Sequence, residues 1–275
     1  MIAEPTNDDL PTWFAEPTLG CLDFLNHLMD LMELTEVAIT RAHNEGDLGR
    51  TLATRWNDLM GERGDPEGHR RRGLDVEALA KSEVEGGFQT FRAQNIVLLW
   101  GTLERFANDL LVAVLVNDPG QRADEALKAV KGSLIDLVGL DIEEQCAQVA
   151  HAAGWKAKGT GSGANRLESI LKLAGLSGPV DPIAKQNLHV LNEMRNVIVH
   201  RRGVADRRFL ERCPLPGMKM GERMRIDLRT VRAFSMSALN YSTCVINRGI
   251  KKYSGGDHQV RMAKLDGLEL LGGAS

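Results

Sequence analysis

Aromatic residues are scarce in this sequence. They make up 5% of the 275 residues, whereas hydrophobic residues as a whole make up 43%. The pleated surfaces of β-sandwiches and β-barrels favour β-branched and aromatic side chains, so the composition disfavours both classes. The core must be built mainly from Leu, Val, Ile, Ala and Met, which favours the packing of helix on helix.

Cysteine is scarce as well, and its spacing signals neither a zinc site nor a disulfide framework. The four cysteines are Cys21, Cys146, Cys213 and Cys244, and no two of them have CxxC spacing. We therefore expect buried free thiols and no metal or other cofactor held by cysteine.

Long apolar runs are also missing. The longest runs fall far short of the roughly 20 residues that span a membrane, and the N-terminal MIAEPTNDDLPTW lacks the basic start and apolar stretch of a signal peptide. We expect a cytoplasmic protein that does not contact the membrane. The formal net charge is −3, so binding to nucleic acid would have to come from local charge.

Hydrophobic periodicity predicts an all-α protein with six to eight helices. Leucines and methionines recur at spacings of three to five residues from Leu19 to Asn44, and a cleaner stripe runs from Glu85 to Val116. Further helices are predicted over residues 48–60, 123–138, 141–153, 166–174, 182–202 and 229–248.

The segments between these helices are predicted to be irregular. They include 61–75, the Gly-rich 154–165 (in which the Walker Lys-Ser/Thr pair is missing) and 204–222, with a short extended piece at 224–228. Asn165 and Glu168 form a predicted capping pair for the helix over 166–174. The predicted organisation is a flexible N-terminal arm (1–17), an N-terminal helical extension (18–85), the main helical bundle (86–250) and a mobile tail (251–275).

The helix predicted over 182–202 has clear ends and two distinct faces. Asp181-Pro182 is a typical helix start, and Gly203 is a typical stop. At about 100° per residue, one face is apolar and the opposite face is polar. The apolar face carries Leu188, Leu191, Met194 and Ile198, and the polar face carries His189, Glu193, Asn196 and His200.

Two residues near the end of this helix, Arg195 and His200, can bind phosphate and transfer protons. Histidine titrates near neutral pH and can transfer protons. Arginine stays charged and grips phosphate oxygens with a planar fork. Arg195 lies about 140° from His200 around a regular helix, so its long side chain must reach around the helix to share a site with the imidazole.

Arg195, Asn196 and His200 match the R-N-x-x-x-H motif, and the segment resembles the HEPN superfamily. An earlier long helix containing Trp100–Leu110 also resembles the family, and the resemblance covers roughly residues 86–250. It implies an antiparallel helical bundle that pairs as a homodimer and cuts RNA without a metal or cofactor. His200 would then be the general base or acid, Arg195 would hold the scissile phosphate, and Asn196 would orient either residue or bind phosphate.

The resemblance extends to a wider site and a biological setting. Glu193 and Glu104 are candidates for orienting Arg195 or His200. The setting implied is bacterial toxin–antitoxin or anti-phage defence, with an antitoxin or other defence protein as a partner. The alternative within the family is a non-catalytic HEPN module that dimerises or binds nucleic acid beside another protein.

The charge around the motif favours a phosphate-rich ligand. The stretch from Arg195 to Arg232 contains eleven Lys/Arg and four Asp/Glu, a balance of +7, so the rest of the chain carries −10. Four arginines just after the motif are predicted to bind RNA. They are Arg201, Arg202, Arg207 and Arg208.

Two other interpretations of the polar face remain open. Asn196 and His200 could form a hydrogen-bonded pair with a purely structural role. Alternatively, His189, Glu193 and His200 share a face at spacings used by helical metal sites, in which case Glu104 and Asp109 would have to complete the ligand set.

Overall fold

The computed structural model describes residues 10–45, 65–122, 139–157, 161–215 and 217–255, with isolated positions within 51–59 and 259–270. These residues form an all-α helical bundle, which confirms the predicted class. Nine helices are described: α1 Thr12–Glu45, α2 Pro66–Gly86, α3 Gln89–Asn117, α4 Pro119–Arg122, α5 Ile142–Ala157, α6 Ala164–Leu173, α7 Pro182–Arg201, α8 Arg207–Arg212 and α9 Leu228–Tyr253. The helix predicted over 123–138 lies outside the described residues, as does most of the one over 48–60.

Helix α3 lies at the centre of the bundle. It packs against α1, α5, α6, α7 and α9, and every residue of its predicted apolar stripe is buried. These residues are Ile96, Leu99, Leu103, Phe106, Leu110 and Val114. Complete burial of such a side chain contributes about 1.5–3 kcal/mol, so α3 anchors the core on which the other helices pack.

Helix α1 belongs to the same hydrophobic core as the segment 86–250. The prediction of a flexible arm over 1–17 is wrong from Thr12 onward, since Phe14 is fully buried and its ring lies 5.6 Å from that of Tyr253. Pro17 lies inside the helix, and the hydroxyl of Thr18 donates to the carbonyl of Phe14. Aromatic packing against α9 therefore orders the first turns of α1. The prolines in this stretch had indicated an irregular segment.

Helix α2 replaces most of the loop predicted over 61–75. Asp65 accepts a hydrogen bond from the backbone of Glu67, and Pro66 occupies the first turn. Glu67 then pairs with Arg70 at 2.9 Å across one helical turn. These local contacts hold a helix in a stretch whose glycines and charges resemble a loop.

The loops that flank α6 and α9 also differ from prediction. Helix α5 continues to Ala157, and Gly163 rather than Asn165 precedes the first residue of α6. Glu168 does not cap that helix, because its carboxylate accepts hydrogen bonds from the side chains of Tyr241 and Arg248 on α9.

The predicted mobile tail is ordered at several of its described positions. Helix α9 extends to Tyr253. The backbone of Val260 donates to Asn247, and the carbonyl of Leu268 accepts from Asn187. The described part of the tail therefore packs back on α7 and α9.

The four cysteines are free thiols, as expected. Cys21, Cys146 and Cys213 are buried, whereas Cys244 is half-buried. Burial raises the pKa of both Cys21 and Cys213 to about 12. Within the described ranges, no helix combines the length and apolar character needed to cross a membrane.

Candidate functional site

The ends of α7 are set by local capping. The carboxylate of Asp181 accepts hydrogen bonds from the backbones of Ile183 and Ala184, and Pro182 fills the first position. At the other end Arg202 adopts a left-handed conformation (φ 53°), and Gly203 donates to the carbonyl of Val197. The motif therefore occupies the last two turns of a helix whose start and stop match the sequence prediction.

The two faces of α7 are partly as predicted. Leu188, Leu191 and Met194 are buried, and Ile198 is half-buried against the core. The opposite face is less exposed than predicted, because Glu193 is only 4% exposed. His189 and Asn196 are half-buried, and His200 is the exposed residue of this face.

Arg195 and Asn196 are brought together on α7. Nη1 of Arg195 donates to Oδ1 of Asn196 at 3.2 Å, although the two side chains leave the helix about 100° apart. The guanidinium has therefore turned toward Asn196, which lies only about 40° from His200 around the helix. Nε of Arg195 is buried and has no partner among the described residues.

His200 is exposed on the last turn of α7. Its ring makes no hydrogen bond to any other described residue. The structural interpretation, in which His200 pairs with Asn196, is therefore wrong. The imidazole is open to a ligand, and one turn of helix separates it from the Arg195–Asn196 pair.

Glu193 and Glu104 form no hydrogen bond or ion pair with the motif within the described part of the chain. Glu193 is paired with Arg212 at 3.3 Å, and Glu104 forms an ion pair with Arg166 on α6. Both carboxylates are turned toward neighbouring segments of the bundle, so the expectation that they orient Arg195 or His200 is not met. They tie α7 to Arg212 at the end of α8, and α3 to α6.

His189 has a structural role that the sequence did not indicate. Its Nδ1 lies 2.7 Å from the hydroxyl of Ser162, and its Nε2 lies 2.9 Å from the carbonyl oxygen of Arg212. Both ring nitrogens are thus occupied, and the imidazole links the loop before α6 to the end of α8.

The structure does not support the metal interpretation. Across the described residues, no three His, Cys, Asp or Glu side chains come close enough to hold an ion. Asp109 is paired with Arg105 on its own helix at 3.1 Å. The side chains proposed as metal ligands are therefore bonded to different residues and do not converge on one point.

The four arginines predicted to bind RNA are all exposed around the end of α7. Arg201 lies 3.5 Å from Asp206, and Arg207 lies 2.8 Å from Glu211. Exposed pairs of this kind contribute about 0–1 kcal/mol, so a phosphate can displace the carboxylates at low cost. Arg202 and Arg208 have no ion-pair partner within the described residues.

A segment of the predicted basic stretch lies against the end of α7, a position that the sequence did not indicate. The backbone of Met224 donates to the carbonyl of Gly203 at 2.9 Å, and Val204 forms an isolated β-bridge with Arg223. Arg223 and Arg225 thereby come close to the end of the motif helix. The alternation of arginine with Met224 and Ile226 was the signal that could have identified them.

Comparison of this chain with protein-family models, with curated proteins and with solved structures gave no match in any of the three.

Proposed function

We propose that this protein is a metal-independent endoribonuclease of HEPN type, with Arg195, Asn196 and His200 as its catalytic residues. The observation that carries the proposal is the turn of the Arg195 guanidinium onto Asn196. This turn takes the positive charge from the flank of α7 toward the face that bears the exposed imidazole. A cation and a proton-transfer group on one exposed helix end are what a scissile phosphate requires.

The proposed reaction uses the internal hydroxyl of RNA as the nucleophile. His200 removes the proton from the ribose 2′-hydroxyl, whose oxygen forms a bond to phosphorus while the bond from phosphorus to the 5′ oxygen breaks. A proton from an imidazolium goes to that leaving 5′ oxygen. Arg195 stabilises the charge that develops on the phosphoryl oxygens, and Asn196 holds the guanidinium in position.

A homodimer completes this chemistry. The reaction needs one base and one acid, and each chain brings a single histidine to the motif. A second copy of α7 facing the first would supply both from two equivalent residues. The exposure of His200 at the end of the helix leaves it accessible to such a partner.

The biological setting of the proposal comes from the resemblance. It places the enzyme in the bacterial cytoplasm, in toxin–antitoxin or anti-phage defence. An antitoxin or another defence protein would then restrain its activity by covering the exposed end of α7.

Two observations favour the alternative of a non-catalytic HEPN module. The ring of His200 has no orienting hydrogen bond among the described residues, and Nε of Arg195 is unpaired. Such a module would bind nucleic acid or a partner protein through the same surface without cutting RNA.

The proposal is tested by incubating the full-length protein with single-stranded RNA in the presence of EDTA. Cleavage should proceed at an unchanged rate, because the proposed mechanism uses only side chains. The measurement is the decay of a labelled oligonucleotide on a denaturing gel, with and without added Mg²⁺. Complete loss of cleavage in EDTA would reject the mechanism, and absence of cleavage under both conditions would favour the non-catalytic module.

A further inference from the structure

A cleft of about 870 Å³ lies beside the first turn of α9. Its walls are formed by the segment Glu222–Asp227, by the start of α9 and by Gln89 at the start of α3. The side chains that matter here are of two kinds, cationic and apolar. The cationic ones are Arg223, Arg225 and Arg229, and the apolar ones are Leu215, Met218 and Met224.

The backbone beneath the arginines is held in place. Met224 and Ile226 are buried (4% and 2% exposed), whereas Arg223 and Arg225 are exposed. This alternation puts the two arginines on one face of the segment. Their Cα atoms would be about 6.6 Å apart in an extended backbone. The side-chain amide of Gln89 accepts from the backbone of Ile226 at 2.7 Å and donates back to its carbonyl at 3.0 Å.

The two carboxylates in the cleft accept hydrogen bonds from the backbone, and two of its three arginines, Arg223 and Arg225, are available to a ligand. Glu222 accepts from the backbone of Lys219, and Asp227 accepts from the backbone of Thr230 as the cap of α9. The guanidinium groups of Arg223 and Arg225 form no hydrogen bond or ion pair with any other described residue. Three arginines against two carboxylates leave the lining with a balance of +1, so the cleft favours an anion.

The apolar side chains indicate that the anion carries a flat or apolar group. Leu215 and Met218 are half-buried, so part of their surface faces the cleft. Nucleobases place their faces on apolar or guanidinium surfaces while their phosphates contact arginine. A nucleotide meets both requirements, and inorganic phosphate meets only one.

We infer that this cleft binds a nucleotide of single-stranded RNA that flanks the scissile phosphate; the choice of RNA rests on the proposed function. Gly203, which follows His200 by three residues, is bonded through its carbonyl to Met224 in the cleft wall. A strand with one phosphate at the motif can therefore continue into the cleft. Arg223 and Arg225 bind the phosphates of the RNA strand, and a base packs against Leu215 and Met218.

The test is RNA binding by full-length His200→Ala protein, which leaves the oligonucleotide intact. Fluorescence anisotropy with a labelled single-stranded RNA gives the Kd of this protein and of the same protein carrying Arg223→Gln and Arg225→Gln. The double substitution should raise Kd by about 10²-fold or more, because each arginine loses a charge-assisted hydrogen bond to a phosphate. The salt dependence of log Kd should lose about 1.4 from its slope, since each phosphate contact on a single strand contributes about 0.7.

The matched control is the double substitution Arg71→Gln and Arg72→Gln, which removes the same charge from exposed positions on α2. Its Kd should change by less than about twofold, because a distant charge acts only through the screened field. Equal weakening in the two double variants, or none in either, would overturn the inference. Displacement of the labelled RNA by ADP would also overturn it, if the ADP concentration equals the concentration of RNA counted in nucleotides. The cleft would then bind a free nucleotide.

The outcomes for the cleft and for the nuclease are separable. If the wild type fails to cut RNA but the cleft arginines are needed to bind it, the nuclease proposal fails and the cleft stands as a nucleic-acid site. If the wild type cuts RNA and binding does not depend on Arg223 and Arg225, the nuclease stands and the cleft assignment fails.

Discussion

Replacement of His200 by alanine should lower the rate of RNA cleavage by about 10²–10⁴-fold, the usual contribution of a positioned general acid or base. The side chain is exposed and makes no hydrogen bond to another described residue, so its loss should leave the thermal unfolding midpoint unchanged. Single-turnover cleavage of a labelled oligonucleotide measures the effect. A loss of activity without a loss of stability assigns the residue to the reaction.

The matched control for this prediction is His27→Ala, because His27 is also exposed but lies on α1. Its cleavage rate should equal that of the wild type. Arg195→Ala should reduce the rate by about 10²–10³-fold, as loss of one preorganised group on a developing anion does elsewhere. If His200→Ala retained the wild-type rate, another group would have to perform the proton transfer and the site assignment would fail.

The Gly249→Ala substitution should destabilise the fold by about 1–3 kcal/mol or more, the cost of overpacking a core. A Cβ at position 249 would fall within the ring of Phe14, which is fully buried between α1 and α9. The ring has little room to retreat, since Tyr253 lies on it with ring centroids 5.6 Å apart. Urea unfolding should show a lower midpoint with an unchanged slope.

Two further variants make the stability prediction specific. Gly101→Ala adds the same methyl group on α3, where it would meet no side chain or neighbouring segment within 4 Å, and it should stabilise the protein by about 0.5–1 kcal/mol. Phe14→Leu in the Gly249→Ala background should recover part of the lost stability by making room. Equal stability of Gly249→Ala and Gly101→Ala would show that α1 does not pack on α9 as described.

The motif helix could be predicted in detail because its signals are local. Asp181 and Pro182 fix its start, and Gly203 marks its stop. The central helix α3 could be predicted for a similar reason, since its apolar stripe is uninterrupted. Periodicity and capping residues depend on neighbours within a few positions, which the sequence displays directly.

Other features depend on contacts between distant parts of the chain. The order of Thr12–Pro17 comes from aromatic contacts with Tyr253 on α9. The burial of Glu193 depends on Arg212, which reaches it from the end of α8. The periodicity of a segment does not indicate contacts with distant residues. The N-terminal segment was therefore predicted to be irregular, and Glu193 was predicted to be exposed.

The start of α2 was missed although its signal was present. Asp65-Pro66 repeats the cap-and-proline pattern of Asp181-Pro182. The glycines and arginines that follow outweighed it, because they are typical of loops. The cap at Asp65, the exposed ion pair between Glu67 and Arg70, and the packing of α2 against α1 and α3 together favour the helix.

The sequence proposes the residues of the candidate site, but it does not give their geometry. On a regular helix Arg195 and His200 diverge by about 140°, and only the side-chain conformation of Arg195 brings its charge toward Asn196. A long, flexible side chain has many conformations. The sequence therefore indicates that Arg195 must reach around the helix, but it does not indicate which conformation the side chain adopts.

The most direct measurement of the central claim compares two RNA oligonucleotides that differ at one ribose. One is all-ribose, and the other carries a 2′-deoxy sugar on the 5′ side of the bond that the wild-type protein cuts. If Arg195, Asn196 and His200 direct the 2′-hydroxyl against phosphorus, the substituted bond should stay intact while the all-ribose bond is cut. Cleavage of both bonds at equal rates would contradict the account, because the nucleophile would then not be the ribose hydroxyl.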